Sequence, residues 1–500
     1  MHKSKRISRI LMLTTLAVAS VTPVIAADRP NIIVVMADDM GFSDLGCYGG
    51  EIRTPTIDKL AAEGMRFSQF YNCNKCGPSR ASLMTGCYPW KVGQKKGVSI
   101  FAKLTKNCAT VMELLKGAGY STCAVGRLDM VTGENWHDPK ELSAVADRYL
   151  GVPTNGPGNF YKAVKGQPWF RNGKPFKRPT GVHSTDLIST FVADFIRETK
   201  GSEKPFFIYV SHFAPHWPLH ADEKDIAPYR EIYENKSRAE LMDTRLMRLI
   251  ESGLIPEGTE LHQSMLKATG GGNVPAASER MAIHAAMVGG IDRGLGKAVA
   301  ALEAAGKRDN TLILVLSDNG SSHQMVFSKP LKPGQRAGAM DTFINHGPAV
   351  ASLNNTPFYN YKMMDYEGGI ASPLVANWPR GLKNTGRISH RLSHIADIMP
   401  TCLELAGVTY PGLFNGRTLI RLAGKSLTPT FGDLAVLEGD DRILVFPNAL
   451  RDGDWKLVTH KKPPELFRIS TDRNERKNLA AEFPERLATM QMRHERVFAR

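Results

Sequence analysis

Apolar residues along this chain fall into short, nearly unbroken runs that stop abruptly at charged or amide side chains. Asn31 to Met36 (Asn-Ile-Ile-Val-Val-Met) is such a run, and it stops at Asp38-Asp39. Thr311 to Leu316 repeats the arrangement much later and stops at Ser317-Asp318-Asn319-Gly320. A strand with one wet face would alternate, so runs apolar throughout predict strands buried on both faces of a parallel sheet. Pro205 to Ser211 leads into Ala214-Pro215-His216-Trp217-Pro218, and Tyr120 to Val125 leads into Gly126-Arg127. Helical periodicity separates these runs at Thr110 to Lys116, Ser184 to Thr199, Glu279 to Ala304 and Ser393 to Leu405. The alternation predicts an α/β fold, a large mixed, mostly parallel sheet sandwiched by helices. In such sheets ligands bind beyond the carboxyl ends of the strands, so polar groups scattered in sequence are expected to meet at one edge.

The order changes late in the chain. From about Arg442 short strand-like runs (Ile443 to Phe446, Trp455 to Thr459, Glu465 to Arg468) alternate with turn residues, and a helical pattern follows from Pro484. These predict a small antiparallel sheet with a closing helix. The stretch Gly424 to Gly432 is the candidate boundary, giving a catalytic domain over 27–430 and a C-terminal subdomain over 431–500. Gly270 to Asn273 reads as a flexible loop, and the chain shows no internal repeat or low-complexity segment.

The first residues change the expected location. Lys3, Lys5, Arg6 and Arg9 precede an apolar run from Ile10 to about Ile25, and Val24-Ile25-Ala26 forms a small-residue cleavage site. This is the pattern of an export signal over residues 1–26, and the run is too short and too threonine-rich for a membrane span. No later stretch approaches spanning length, so the expectation is a soluble protein, periplasmic or secreted. Seven cysteines in 500 residues exclude a disulfide framework, although the six other than Cys76 have the number to pair. A formal charge of +15 fits either a basic, soluble surface or attraction to a polyanion such as a sulfated polysaccharide. No nucleic-acid motif stands out, so no nucleic-acid partner is expected.

The densest chemistry lies in Cys76-Gly77-Pro78-Ser79-Arg80, with Leu83, Thr85 and Gly86 following. Pro78 presets a helix's first turn, which puts Cys76 at a helix N-terminus where unpaired N–H groups favour an anion. A nucleophile, an anion-binding helix end and the Arg80 guanidinium point to a tetrahedral oxyanion, sulfate or phosphate. Taken alone, Cys76 reads first as a small buried thiol or half of a disulfide; the surrounding pattern is what changes that reading. Asp38-Asp39 and Asp318-Asn319, at the ends of two buried strands, offer three carboxylates and an amide oxygen. That set suits a hard divalent cation, calcium before magnesium, and there is no Cys/His cluster to suggest zinc.

The Cys-x-Pro-Ser-Arg pattern, with Leu83, Thr85 and Gly86 in step, resembles the signature of sulfatases, members of the alkaline-phosphatase-like superfamily. The resemblance covers most of the chain after residue 26 and implies a sulfuric ester hydrolase whose Cys76 is oxidised to formylglycine by a formylglycine-generating enzyme. Asp38-Asp39 match the family's first metal pair, Asp318-Asn319 its second, and Cys76 and Arg80 its nucleophile motif. His216 in Ala-Pro-His-Trp-Pro matches an active-site histidine, and Lys362, shortly before Glu367-Gly368-Gly369, matches a lysine that contacts sulfate. The resemblance therefore implies Cys76, Arg80 and His216 as catalytic, Arg127 and Lys362 as substrate-binding, and Cys76 among the metal ligands. The turns around Trp455-Lys456-Leu457 and Glu465-Leu466-Phe467 look like the family's C-terminal subdomain. One departure stands out. Where the family has Gly-Lys-Trp-His, this chain has Gly126-Arg127-Leu128-Asp129, which keeps a cation at Arg127 but replaces a histidine with a carboxylate; His137 nearby is a candidate substitute.

The expected substrate is a sulfate ester, with a sulfated carbohydrate as its expected form. The segments Gly151 to Pro179 and Leu219 to Asn273, read as rim loops, are expected to set which one. Three alternatives stay open at this point: a phosphate or phosphonate ester hydrolase of the same superfamily, a non-catalytic sulfated-glycan-binding relative, and a thiol enzyme using an unmodified Cys76 with a histidine.

Overall fold

The computed structural model describes residues 29–93, 104–127, 145–153, 158–269, 274–325, 328–432 and 442–498. Residues 1–26, read above as an export signal, together with Leu128, Asp129, His137 and residues 270–273, lie outside the described residues.

A ten-stranded sheet organises the molecule, in the order Arg387–Ser389, Met65–Phe67, Leu374–Asn377, Thr311–Ser317, Asn31–Asp38, Phe206–Pro215, Ser121–Arg127, Arg148–Val152, Trp169–Arg171 and Lys174–Phe176. The five strands from Thr311–Ser317 to Arg148–Val152 are mutually parallel. Leu374–Asn377 runs antiparallel to both of its neighbours, and the Trp169 hairpin adds an antiparallel edge. Asn31–Asp38 is central and buried along its whole length. Its two faces feed separate cores, Ile33 and Val35 on one side and Ile32, Val34 and Met36 on the other. Each such side chain contributes roughly 1.5–3 kcal/mol by leaving water, which explains why no polar residue interrupts the run.

Helices cover both faces. Ile57, Ile188, Ile226 and Ile283 pack on the first core from Pro55–Ala62, Ser184–Glu198, Glu223–Asn235 and the long helix Ala277–Ala304. Leu83, Met112 and Met399 pack on the second from Cys76–Thr85, Val111–Gly117 and Ile398–Leu405. A separate four-stranded antiparallel sheet follows, Ile443–Phe446, Ala449–Asp452, Trp455–Val458 and Glu465–Arg468, closed by the helix Pro484–Phe498. The expected layered α/β architecture with a small C-terminal sheet is what the chain adopts.

Several local expectations are corrected. The helix read from Ser393 begins only at Ile398: Ser393–His394 pairs with Phe70–Tyr71, and a 3-10 turn follows at Ile395–Asp397. The cause is a cap, because Asp397 accepts the His394 N–H at 2.7 Å while His394 Nδ1 accepts from Ala396 N at 3.2 Å. The rim segment Leu219–Asn273 contains the helices Glu223–Asn235 and Arg238–Glu251 rather than plain loop. The second is started by Ser237 and Glu240 in a reciprocal cap and buries Leu241, Met242, Leu246 and Leu249 at helical spacing. All seven cysteines are free, so no pairing among the six occurs. No helix among the described residues is long and apolar enough to cross a membrane.

Candidate active site

Parallel register brings the acidic pairs together. Ala37 lies opposite Ser317, so Asp38-Asp39 and Asp318-Asn319 leave adjacent strand ends side by side. The chain then turns sharply, with Asp39 at φ 73° and its N–H donating to Asp318 Oδ1 at 3.2 Å. The turn after Asp318 has no room for a side chain, since a Cβ on Gly320 would stand 1.8 Å from the Gly368 carbonyl oxygen.

Cys76 is the first residue of the helix Cys76–Thr85, 7% exposed, and its Sγ donates to Asp38 Oδ1 at 3.1 Å. One turn later Arg80 is fully buried. Its Nη2 lies 2.8 Å from Asp318 Oδ2 and 3.2 Å from Asp38 Oδ2, and its Nη1 donates to Ser211 Oγ and, at 3.2 Å, to the Tyr209 hydroxyl. Arg127 ends the strand Ser121–Arg127 with Nη1 3.4 Å from Asp38 Oδ2. Gly126 before it must be glycine, at φ 97° with a would-be Cβ 1.9 Å from Ser211 O. Lys362 Nζ donates to Asp39 Oδ1 at 2.6 Å, as does Asn319 Nδ2 at 2.6 Å. His216 Nε2 lies 3.6 Å from Asp39 Oδ2, and its Nδ1 is 2.6 Å from the Trp217 carbonyl oxygen. The residues singled out at Asp38, Asp39, Cys76, Arg80, Arg127, His216, Asp318, Asn319 and Lys362 thus converge at one sheet edge.

The electrostatics follow from this crowding. Burial opposes ionisation of Asp38, but Arg80, His216, Arg127 and Lys362 hold its carboxyl below the usual carboxylate range. Asp318 is pushed up to about 7, by burial and then by the charge of Asp38. Burial also pushes the Cys76 thiol well up, and Asp318 and Asp38 push it further. His216 is lowered by burial, whereas the neighbouring carboxylates raise Lys362 against its burial. Two oxygens remain without hydrogen-bond partners although buried, Asp39 Oδ2 and Asn319 Oδ1. Ligand atoms of Asp38, Asp39, Cys76 and His216 all lie within 4.8 Å of one another. Orphaned oxygens within a cluster of carboxyl groups fit a hard divalent cation.

The sulfatase family model matches residues 30–408. The chain belongs to the sulfatase family. It is a sulfuric ester hydrolase. An arylsulfatase of Klebsiella aerogenes is 29% identical over 80% of this chain and 92% of its own length. An uncharacterized sulfatase of Schizosaccharomyces pombe is 29% identical over 91% of each chain. Among solved structures, that of Ps i-CgsB is 26% identical with TM-score 0.68, covering 94% of this sulfatase and 92% of its own chain. The same relative is also solved in complex with k-i-k-neocarrahexaose.

Other contacts of the site carried no sequence signal. Asp365 joins three segments: it accepts from Asn74 Nδ2, from Asn448 N at 2.7 Å, and has His460 Nε2 3.6 Å away. The C-terminal segment also supplies buried cations to Glu367, Lys456 Nζ from the sheet at 2.9 Å and Arg473 Nε from the turn after it at 3.0 Å. Lys456 further reaches Glu475 at 2.7 Å. Burial would raise Glu367, but Lys456 and Arg473 hold it down to about 2.

Proposed function

We propose that this chain is an exported sulfatase, periplasmic or secreted, that cleaves the sulfate ester of a sulfated carbohydrate to alcohol and inorganic sulfate. The reading assigns the nucleophile to formylglycine made from Cys76 and the cation, calcium ahead of magnesium, to Asp38, Asp39, Asp318, Asn319 and residue 76. The observation that carries it is the placement of Cys76 at a helix start, 3.1 Å from Asp38 and inside a ring of arginine and lysine side chains. An unmodified thiol is disfavoured. Sγ donates to a carboxylate rather than to a histidine, and carboxylates push the thiol up, opposite to what a thiolate nucleophile needs.

Charge balance supports the cation. The carboxyls of Asp38, Asp39 and Asp318 lie against Arg80, Arg127 and Lys362, and a dication would hold Asp318, otherwise pushed up to about 7, in its ionised form while adding positive charge for an anionic ester. When bound it neutralises ester oxygens and holds the nucleophile in place. A formylglycine at residue 76 would, as its hydrate, offer two oxygens on one carbon, chemistry that allows the ester's S–O bond to the alcohol to break and sulfate to be released afterwards, with water restoring the hydrate.

The side chains do the rest. Arg80, fixed by Asp318, Asp38 and Ser211, offers a rigid guanidinium to the transferring group, and Arg127 can grip it bidentately. Lys362 is kept charged by Asp39 and donates to a sulfate oxygen as charge develops. His216 keeps Nδ1–H on the Trp217 carbonyl, which orients Nε2 to carry the proton for the departing alcohol oxygen. The oligosaccharide complex of the Ps i-CgsB relative favours a carbohydrate as that alcohol.

The test is direct. The peptide containing residue 76 should show an aldehyde by intact mass, and Cys76→Ala should abolish release of sulfate from an aryl sulfate while leaving thermal unfolding unchanged. A few per cent residual activity in that variant would refute the role of Cys76. Turnover of aryl phosphate but not aryl sulfate would place the chain among phosphate ester hydrolases instead.

A further inference from the structure

A chain of three buried polar side chains takes no part in the reaction just described. Asp44 lies in the turn after the aspartate pair and accepts the Gly41 N–H at 2.8 Å and Arg245 Nη1 at 3.2 Å. His284, on the helix Ala277–Ala304, places Nε2 at 2.9 Å from Asp44 Oδ2 and Nδ1 at 3.0 Å from His346 Nε2. All three residues are buried, and His346 Nδ1 has no hydrogen-bond partner among the described residues.

The chemistry of the partners favours one hydrogen-bond direction along this chain. The carboxylate of Asp44, held by Arg245, can only accept, so the proton of His284 sits on Nε2. With that proton on Nε2, His284 Nδ1 is placed to accept from His346 Nε2, which leaves His346 Nδ1 bare, in keeping with its lack of a partner among the described residues. Burial above all, with the positive charges of Lys362 and Arg280 acting in the same direction, pushes His346 well below the usual imidazole range.

The far end of the chain rests against the His216 turn. His346 closes a segment in which Ile344 O accepts from Leu219 N at 2.8 Å and Thr342 O lies 2.9 Å from His220 Nε2. The rings of Phe343 and Trp217 are 5.9 Å apart. The near end holds the loop of Asp38 and Asp39 through Gly41. The relay from Gly41 through Asp44 and His284 to His346, continued by the backbone of residues 342–346, therefore connects the loop of the aspartate pair to the turn after His216.

We propose that Asp44, His284 and His346 are positioning residues, a directional hydrogen-bond relay that fixes the His216 turn relative to the aspartate pair and maintains a neutral, acceptor-bearing imidazole behind it. The kinetic consequence rests on the hydrolytic reading above; the tautomer of His346 does not.

Nitrogen-15 NMR of the full-length protein, labelled at histidine and purified with its metal, reads that tautomer near neutral pH. His346 should be protonated at Nε2 and bare at Nδ1. His284→Gln retains a donor for Asp44 and an acceptor for His346, so it should preserve the His346 signal and keep kcat within about threefold. His284→Leu offers neither, and should lose the signal and lower kcat by about 10–100-fold with KM changed by less than about twofold. Protonation of His346 at Nδ1, or at both nitrogens, in the unsubstituted protein overturns the relay. Equal kcat in the two variants does so too. If His284→Leu fails to fold, the tautomer in the unsubstituted chain decides alone. A protein inactive on every sulfate ester but with His346 in the expected tautomer would sustain the relay and overturn the reaction instead.

Discussion

Asp39 receives Lys362 and Asn319 on one oxygen and has His216 facing the other. Lys362 in turn owes its charge to Asp39 against the pull of burial. Replacing Lys362 with Ala should lower kcat on an aryl sulfate by about a hundred- to a thousand-fold, the usual cost of removing one donor aimed at developing charge. Steady-state kinetics with KM monitored separately checks this, and a loss confined to KM would show that Lys362 binds without assisting the chemical step. Chelation tests the oxygen cluster: prolonged dialysis against a chelator should remove activity, and calcium should restore it more fully than magnesium. Cys76 and Arg80 were legible in the sequence because Pro78 and the residues after it fix a helix start within a few positions. Asp44, His284 and His346 were not legible. Each reads as an ordinary polar residue, and their meaning arises only when segments distant in sequence are packed together.

At the level of elements, the buried strands were readable from their lack of polar interruption, and the carboxyl ends of the parallel strands met as the topology of α/β sheets requires. Short strands were harder. Ala449–Asp452 mixes apolar and charged residues over too few positions to show a period, and its pairing with Trp455–Val458 is set by the turn between them. The helices Glu223–Asn235 and Arg238–Glu251 were hidden by a high polar content, since only one narrow stripe of each is buried. The strand Ser121–Arg127 gives a clear prediction. Gly126→Ala puts a Cβ 1.9 Å from Ser211 O at φ 97°, so it should destabilise the fold by about 2 kcal/mol or more and displace Arg127. Chemical denaturation together with KM for the sulfate ester measures both effects. An unchanged midpoint would mean that the two strands separate more easily than their close approach implies.

Across the whole molecule, several histidines are stored in the uncharged form. Burial pulls His212 down to about 3, His220 to about 4 and His394 to about 3. The unfolded chain would take up these protons near pH 6.5 while the folded one refuses them until far lower pH. Their contribution to stability is thus present above the unfolded value and is lost as pH falls below it, by up to ~1.4 kcal/mol per pH unit for each ring. Thermal unfolding between neutral and mildly acidic pH should show a steep loss, with uptake of roughly three protons attributable to these rings. A flat profile would mean that water reaches them. The C-terminal sheet carries a consequence of another kind. Because the ionised Glu367 depends on Lys456 and Arg473 across the boundary, with Glu475 sharing Lys456, the larger unit cannot be made on its own without stranding an anion in a dry interior. Anyone grafting the tail of another relative onto this enzyme would have to transfer or restore those three positions together, as a matched set.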